Sequence, residues 1–114
     1  MSRKILFLLI VWIFPAFAQV FLPGTEDIPL MDGLKNVEET ASFDNPSERL
    51  LLVSAETTIP PQKILSFYQQ NLPNLGWNRK TATLFYRGDD SFSIEINSNQ
   101  GVNQIQFRLK QVNP

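Results

Sequence analysis

The stretch PQKILSFYQQNLPNLGW, residues 61–77, decides the fold of this chain. Pro61 suits the first position of a helix, because the N–H that proline lacks has no helical partner there. Pro73 then ends the helix, and Gly76 is placed to turn the chain out of it. The apolar residues in between recur at the i, i+3, i+4 spacing of one helix face, namely Ile64, Phe67, Tyr68, Leu72 and Leu75. The sequence therefore predicts one amphipathic helix over residues 61–72.

After this helix the hydrophobic period changes to two, which is typical of strands. Two short strands are predicted at residues 77–80 and 83–87, and two longer ones at 91–97 and 104–110. Turn-forming Gly, Asp, Asn and Ser residues separate the longer segments. The last two strands alternate apolar and polar residues most regularly, as half-buried antiparallel strands do.

Before the helix, residues 37–57 are predicted to form a hairpin around the turn Asp44-Asn45-Pro46-Ser47. Its second half contains the run Leu50-Leu51-Leu52-Val53, which is typical of a strand buried on both faces. A helix is the alternative for so short a run, but the turn before it and the prolines after it favour a strand.

The expected fold is α+β with the order β-β-α-β-β-β. An antiparallel sheet would carry one helix packed on one face, as a two-layer sandwich, and its other face would be polar and wet. Residues 36–114 are expected to form this single domain. Residues 19–35 precede it as an extended lead-in, rich in Pro and Gly. Within it, Asp27–Leu34 is too apolar for a free tail and is expected to lie against the domain, partly as an edge strand.

Residues 1–18 have the arrangement of a secretory signal peptide. Arg3 and Lys4 precede an apolar run of about ten residues, roughly half of what a membrane span needs. Ala16-Phe17-Ala18 supplies the small-x-small cleavage pattern, so cleavage is predicted after Ala18. An uncleaved anchor is the alternative, because residues 20–22 extend the apolar stretch. We expect a periplasmic or secreted bacterial protein whose mature chain carries a formal net charge of −3.

Composition excludes several kinds of chemistry. The chain of 114 residues has no Cys and no His, which removes disulfides, thiol nucleophiles, imidazole relays and nearly all zinc sites. With 10 Lys+Arg against 11 Asp+Glu, it offers no basic surface for nucleic acid. Its five glycines are scattered, so they form no phosphate-binding loop.

The motif F-Y-x-x-x-L-P-x-L-G-W, residues 67–77, resembles that of small exported bacterial domains in which a strand precedes this helix and strands follow it. The segment Asp27–Leu34 looks like the start of alphaproteobacterial members. The resemblance covers residues 27–110 and implies the fold. No activity is established for the group, so the resemblance carries over no catalytic or binding residue.

Acidic residues invite a glycosidase interpretation, which needs two carboxylates facing across a cleft. Glu38 and Glu39 are strand neighbours and should point to opposite faces. Asp89-Asp90 is expected to be a solvated turn, because no calcium-loop pattern surrounds it. Glu26, Asp27 and Asp32 of the lead-in are most simply solubilising charges.

The densest basic cluster is Arg79 and Lys80, with Arg87 near them across a hairpin. We interpret it as a solvated strand edge, with an anion site as the alternative. Trp77 is expected to pack in the core at the helix–sheet seam, and ligand stacking is its alternative role.

These observations favour a non-catalytic interaction module of the cell envelope, which contacts a partner protein through a strand edge or the polar sheet face. No catalytic, cofactor or metal residue is assigned, and no cofactor is expected. The first alternative is a carrier of a small apolar or amphipathic ligand between helix and sheet. The weaker alternative is a hydrolase that uses two carboxylates.

Overall fold

The computed structural model describes residues 20–113, so the predicted signal peptide and its cleavage point lie outside the described residues. The elements are β1 (Lys35–Asp44), β2 (Glu48–Thr57), α1 (Pro61–Asn71), a 3-10 helix (Leu72–Leu75), β3 (Asn78–Arg79), β4 (Leu84–Arg87), β5 (Asp90–Asn99) and β6 (Val102–Val112). The six strands form one antiparallel sheet in the order β1-β2-β6-β5-β4-β3. The prediction of an α+β fold with an antiparallel sheet and a helix is confirmed.

The expected order β-β-α-β-β-β counts one strand too few. Four strands follow the helix, because the two short segments after it pair with each other as β3 and β4. The N–H groups of Lys80 and Thr81 both donate to the Leu84 carbonyl, at 2.8 and 3.2 Å, and close this hairpin. The β3 strand is only two residues long and forms one edge of the sheet, while the ten-residue β1 forms the other.

The helix begins at the predicted residue and ends at Asn71, one residue before the predicted end, and one residue of its predicted apolar face is exposed. Pro61 is its first residue, and Gly76 closes the 3-10 turn with φ +92°, a left-handed conformation that favours glycine. Leu75, which was expected on the apolar face, is instead exposed. Pro73 cannot continue the α-helical hydrogen bonds, so the chain tightens into the 3-10 turn and changes the direction in which Leu75 points.

Aromatic rings fill the space between the helix and the sheet. The Tyr68 ring of α1 lies 5.4 Å from Phe107 of β6 and 6.1 Å from Phe92 of β5, between ring centroids. Trp77 lies 6.1 Å from Phe92 and is only 1% exposed, so its predicted burial is confirmed. Each such ring contributes on the order of 2 kcal/mol through the apolar surface it removes from water.

The apolar run of β2 is buried on one face rather than on both. Leu51 and Val53 belong to the core, whereas Leu50 and Leu52 face the other side of the sheet and are half-buried. On that outer face the polar residues of β6 are exposed, as expected, namely Gln104, Gln106, Arg108 and Lys110. The wet outer face is therefore polar across β6 but apolar toward β1.

The lead-in lies on the core as a small hairpin of its own. Leu22 N–H donates to the Ile28 carbonyl at 2.9 Å, and Leu30 N–H donates to the Val20 carbonyl at 2.8 Å. Leu22 and Ile28 are fully buried. The expected edge strand is wrong in one respect, because the lead-in makes an isolated bridge at Pro29 and does not join the six-stranded sheet. Proline has no N–H with which to continue a ladder.

Side chains of the domain hold this lead-in in place. The Tyr68 hydroxyl donates to the Pro29 carbonyl at 2.8 Å and accepts a longer hydrogen bond, 3.4 Å, from Met31 N–H. The Thr57 hydroxyl donates to the Gly33 carbonyl at 3.0 Å. Burial raises the pKa of the Tyr68 hydroxyl above its ordinary value, which the hydrogen bond from Met31 only partly offsets.

Replacing Tyr68 with Phe is expected to destabilise the protein by about 1–3 kcal/mol, because the buried Pro29 carbonyl loses its donor while the ring packing remains. Urea unfolding followed by circular dichroism measures this. Tyr86→Phe is the matched control, since Tyr86 is exposed, and it should change stability by less than about 0.5 kcal/mol. Equal effects of the two substitutions would contradict the role of the hydroxyl.

The stability contributed by this hydroxyl should also depend on pH. Below about pH 9 the hydroxyl is protonated in both the folded and the unfolded chain, so its contribution is fully present. At higher pH the unfolded tyrosine ionises while the buried one stays protonated, which favours unfolding. The difference in free energy of unfolding between wild type and Tyr68→Phe should shrink from about pH 9 to about pH 11. A constant difference over that range would refute this explanation.

Candidate functional site

A cleft of about 640 Å³ lies at one end of the sheet, on the face that carries the core. Residues Gly24–Asp27 of the lead-in form one wall. Arg49 at the start of β2 and Arg87 at the end of β4 contribute the cations, and Leu109 and Gln111 of β6 complete the lining.

Strand alternation explains why these polar residues meet there. Arg49 comes two residues before the buried Leu51, and Gln111 comes two residues after the buried Leu109. Residues two apart on a strand share a face, so each continues the core face beyond its last buried residue. The register pairs Arg49 with Gln111 directly. The cleft therefore lies at the boundary between the buried core and the solvent.

Arg87 is held by three contacts. Its Nη1 atom lies 2.7 Å from Asp27 Oδ2 and donates to the Leu75 carbonyl at 3.1 Å. Its guanidinium carbon lies 4.3 Å from the centroid of the Trp77 ring. A guanidinium over an indole contributes about 0.5–2 kcal/mol. The ion pair contributes less, because the Asp27 side chain is 44% exposed and solvent screens it.

Arg49 differs from Arg87 in the charge of its partners. Nη2 donates to the Gly24 carbonyl at 2.7 Å, and Nη1 donates to Gln111 Oε1 at 3.1 Å. Both acceptors are neutral. Over residues 20–113, Arg49 makes no ion pair within 4 Å, although Asp44 is its cross-strand partner in β1 and Glu26 and Asp27 line the same cleft.

The basic cluster expected from the sequence does not act as one site. Arg79 donates from Nε to the Thr81 carbonyl at 3.2 Å, and Lys80 lies 5.9 Å from the Tyr86 ring, while the polar contacts of Arg87 are with Asp27 and Leu75. Arg87 also covers the Trp77 ring, which leaves a ligand no open face for stacking.

Of the other predicted acidic residues, Glu26 lines the cleft beside Asp27 and the Glu39 carboxylate lies next to Gly24, whereas the rest are dispersed. Glu38 and Glu39 pair with Ser54 and Val53, which confirms that they point to opposite faces. Asp89 and Asp32 are exposed, and Asp90 accepts a hydrogen bond from Val112 N–H at 2.9 Å. Within the part of the chain that the structure describes, no three acidic side chains are grouped as a metal site would require.

Sequence reasoning missed Arg49 and the pairing of Asp27 with Arg87. The sequence pattern that indicates such residues is a polar residue two positions from an apolar, buried residue of the same strand, as at Arg49, Arg87 and Gln111. The partners are far apart in sequence, so only the topology of the sheet brings them together.

In comparisons with protein-family models, curated proteins and solved structures, nothing matches this chain. Among the helices of residues 20–113, none has the length and apolar character needed to cross a membrane.

A double-mutant cycle tests the contact between Asp27 and Arg87. Asp27→Asn and Arg87→Gln should show a coupling energy of about 0.5–1 kcal/mol in urea unfolding, as for a partly exposed ion pair. Arg79→Gln serves as the control for Arg87→Gln, since Arg79 is exposed and makes no ion pair in the described region. Its coupling to Asp27→Asn should be zero, and a coupling as large as that of Arg87 would contradict the assignment.

Proposed function

We propose that this chain is a non-catalytic interaction module of the bacterial cell envelope that binds a strand of a partner protein along β1. The observation that carries the proposal is an apolar patch on the outer sheet face beside the open edge of β1. The patch consists of Ala41, Phe43, Leu50 and Leu52. Phe43 is 63% exposed and is contiguous with the other members of the patch, and a contiguous exposed apolar patch is typical of a protein–protein contact.

The edge of β1 is protected in its first half and open in its second. Register shifts interrupt the pairing between Lys35 and Glu38 and between Glu39 and Ala41. Bulges and charged side chains are devices that keep edge strands from pairing with other chains. From Ala41 to Asp44 the pairing with β2 is regular, so the opposite side of this segment can accept a strand.

Charge indicates what kind of strand would fit. The β1 strand carries Glu38, Glu39 and Asp44 against one cation, Lys35. A partner strand with basic residues beside an apolar one would complement both this charge and the Phe43 ring. At the opposite edge, β3 is only two residues long and offers little backbone for pairing.

The proposed location in the cell envelope depends on export of the chain. The arrangement of residues 1–18 as a cleavable signal, and the resemblance of residues 67–77 to small exported bacterial domains, support a periplasmic location. In this view the helix and the lead-in form the second layer of a two-layer sandwich on the core face. The outer face is then left for the partner.

The alternatives have less support. A carrier needs a cavity between helix and sheet, where the rings of Tyr68, Phe92 and Phe107 pack against one another. A hydrolase needs two carboxylates facing across a cleft. Glu38 and Glu39 lie on opposite faces of the sheet, and the two carboxylates that line the cleft, Glu26 and Asp27, are neighbours on the same wall.

Photocrosslinking in the source bacterium tests the proposal. A photoreactive residue at position 43 should crosslink one defined protein, and the same residue at position 86, also exposed and apolar, should not. The purified partner should bind Phe43→Lys at least about tenfold more weakly than wild type, because a lysine there blocks the patch. It should bind Tyr86→Lys as tightly as wild type. N-terminal sequencing should show that the crosslinked chain begins at Gln19, as expected for cleavage after Ala18.

Two results would contradict this function. One is the absence of any crosslink from position 43 above the level at position 86. The other is equal affinity of the purified partner for wild type and Phe43→Lys. A crosslink to a second copy of this chain would replace the proposed partner with self-association through β1, which sedimentation of wild type and Phe43→Lys would measure.

A further inference from the structure

We propose that the cleft between the lead-in and the ends of β2, β4 and β6 binds a small polar molecule through a carboxylate or phosphate group, with Arg49 as the main contact. This site lies on the core face of the sheet, whereas the proposed partner surface lies on the outer face beside β1. The inference therefore does not depend on the proposed function.

The dimensions of the cleft suit a small molecule. Its volume of about 640 Å³ falls within the range of roughly 300–1,000 Å³ that is typical of ligand sites. Most of its lining is polar or charged, with Leu109 as the apolar exception. A polar ligand is therefore favoured over an apolar one.

The lining carries two cations, Arg49 and Arg87, and two carboxylates, Glu26 and Asp27. Asp27 pairs with Arg87, whereas Arg49 makes no ion pair within residues 20–113, so we expect an anion to bind at the Arg49 end of the cleft. The contacts of Arg49 with the Gly24 carbonyl and Gln111 Oε1 orient the guanidinium without neutralising it, since neither acceptor is charged. Each of Nη1 and Nη2 uses one hydrogen in these contacts, so N–H groups remain for a ligand. A guanidinium presents these donors in the planar fork that matches carboxylate and phosphate oxygens.

Gln111 strengthens this end of the cleft. Its amide oxygen accepts from Arg49, which orients the side chain and leaves its NH₂ group as a neutral donor. An oxyanion beside Arg49 can therefore accept hydrogen bonds from a cation and from an amide, neither of which has to move from an existing partner.

Arg87 contributes at the far side of the cleft. Its described polar contacts, with Asp27 and Leu75, both use Nη1, so Nε and Nη2 remain as donors. The Trp77 ring fixes the plane of this guanidinium. Because Asp27 already balances its charge, Arg87 should add less to anion affinity than Arg49 does.

Titration of the full chain with inorganic phosphate and with succinate, followed by NMR of the arginine Nε–H signals, tests the site. Wild type should show saturable shifts of the Arg49 and Arg87 signals with at least one probe, and the stronger probe identifies the ligand group as phosphate or carboxylate. Ethanolamine, a cation, should cause no shift. Arg49→Gln should weaken binding at least about tenfold, and Arg87→Gln by about threefold.

Two further variants separate binding from folding. Arg79→Gln is the matched control, since Arg79 lies on the β3 edge away from the cleft lining, and it should bind as wild type does. Arg49→Lys retains the charge but not the fork, so its affinity should lie between those of wild type and Arg49→Gln even if both variants lose some stability. The proposal is wrong if wild type shows no saturable shift with either probe, or if Arg49→Gln binds as tightly as Arg79→Gln.

Discussion

The buried hydroxyl of Tyr68 is the constraint on which the arrangement of the other parts depends. Its ring lies against Phe92 and Phe107 of the sheet, and its oxygen holds the lead-in at Pro29. One side chain of the helix thus fixes the sheet on one side and the lead-in on another. Without this hydrogen bond the lead-in would depend on its apolar contacts and on the polar contacts that Thr57, Arg49 and Arg87 make with it. Residues 24–27, which form the wall of the cleft, belong to the same hairpin, so their position depends on this bond together with the contacts of Arg49 and Arg87.

Local features were predictable from the sequence because they depend on neighbours in the chain. Pro61 and Gly76 mark the limits of the helical segment through backbone geometry alone, and alternation identifies β5 and β6. Features that depend on tertiary context were not predictable from the sequence. The strand run of β2 has an outer face that only its partners in the sheet could reveal as half-exposed. Leu75 left the apolar face because Pro73 changed the helix type, which the spacing of apolar residues does not record.

The candidate site was predictable only in part, for a similar physical reason. The acidic lead-in and Arg87 are both apparent in the sequence, yet 60 positions separate Asp27 from Arg87, and no local pattern links them. Their meeting requires that the lead-in fold back over the core as far as the end of β4. The charge of each residue was apparent, whereas its partner was not. In general, a polar residue that lies two positions beyond the last buried residue of a strand is a candidate lining residue of a cleft at the end of the sheet.

The position of β6 determines when this sheet can form. Although β6 is the last of the six strands along the chain, it lies in the middle of the sheet and pairs with both β2 and β5. Residues 58–101 separate it from β2, and closing so long a loop delays the contact during folding. The β1–β2 hairpin and the strands β3–β5 are therefore connected in the sheet only through their pairing with β6. In a chain that lacks β6, the β1–β2 hairpin and the strands β3–β5 share no backbone pairing, so we expect the sheet to become continuous only after β6 has been synthesised.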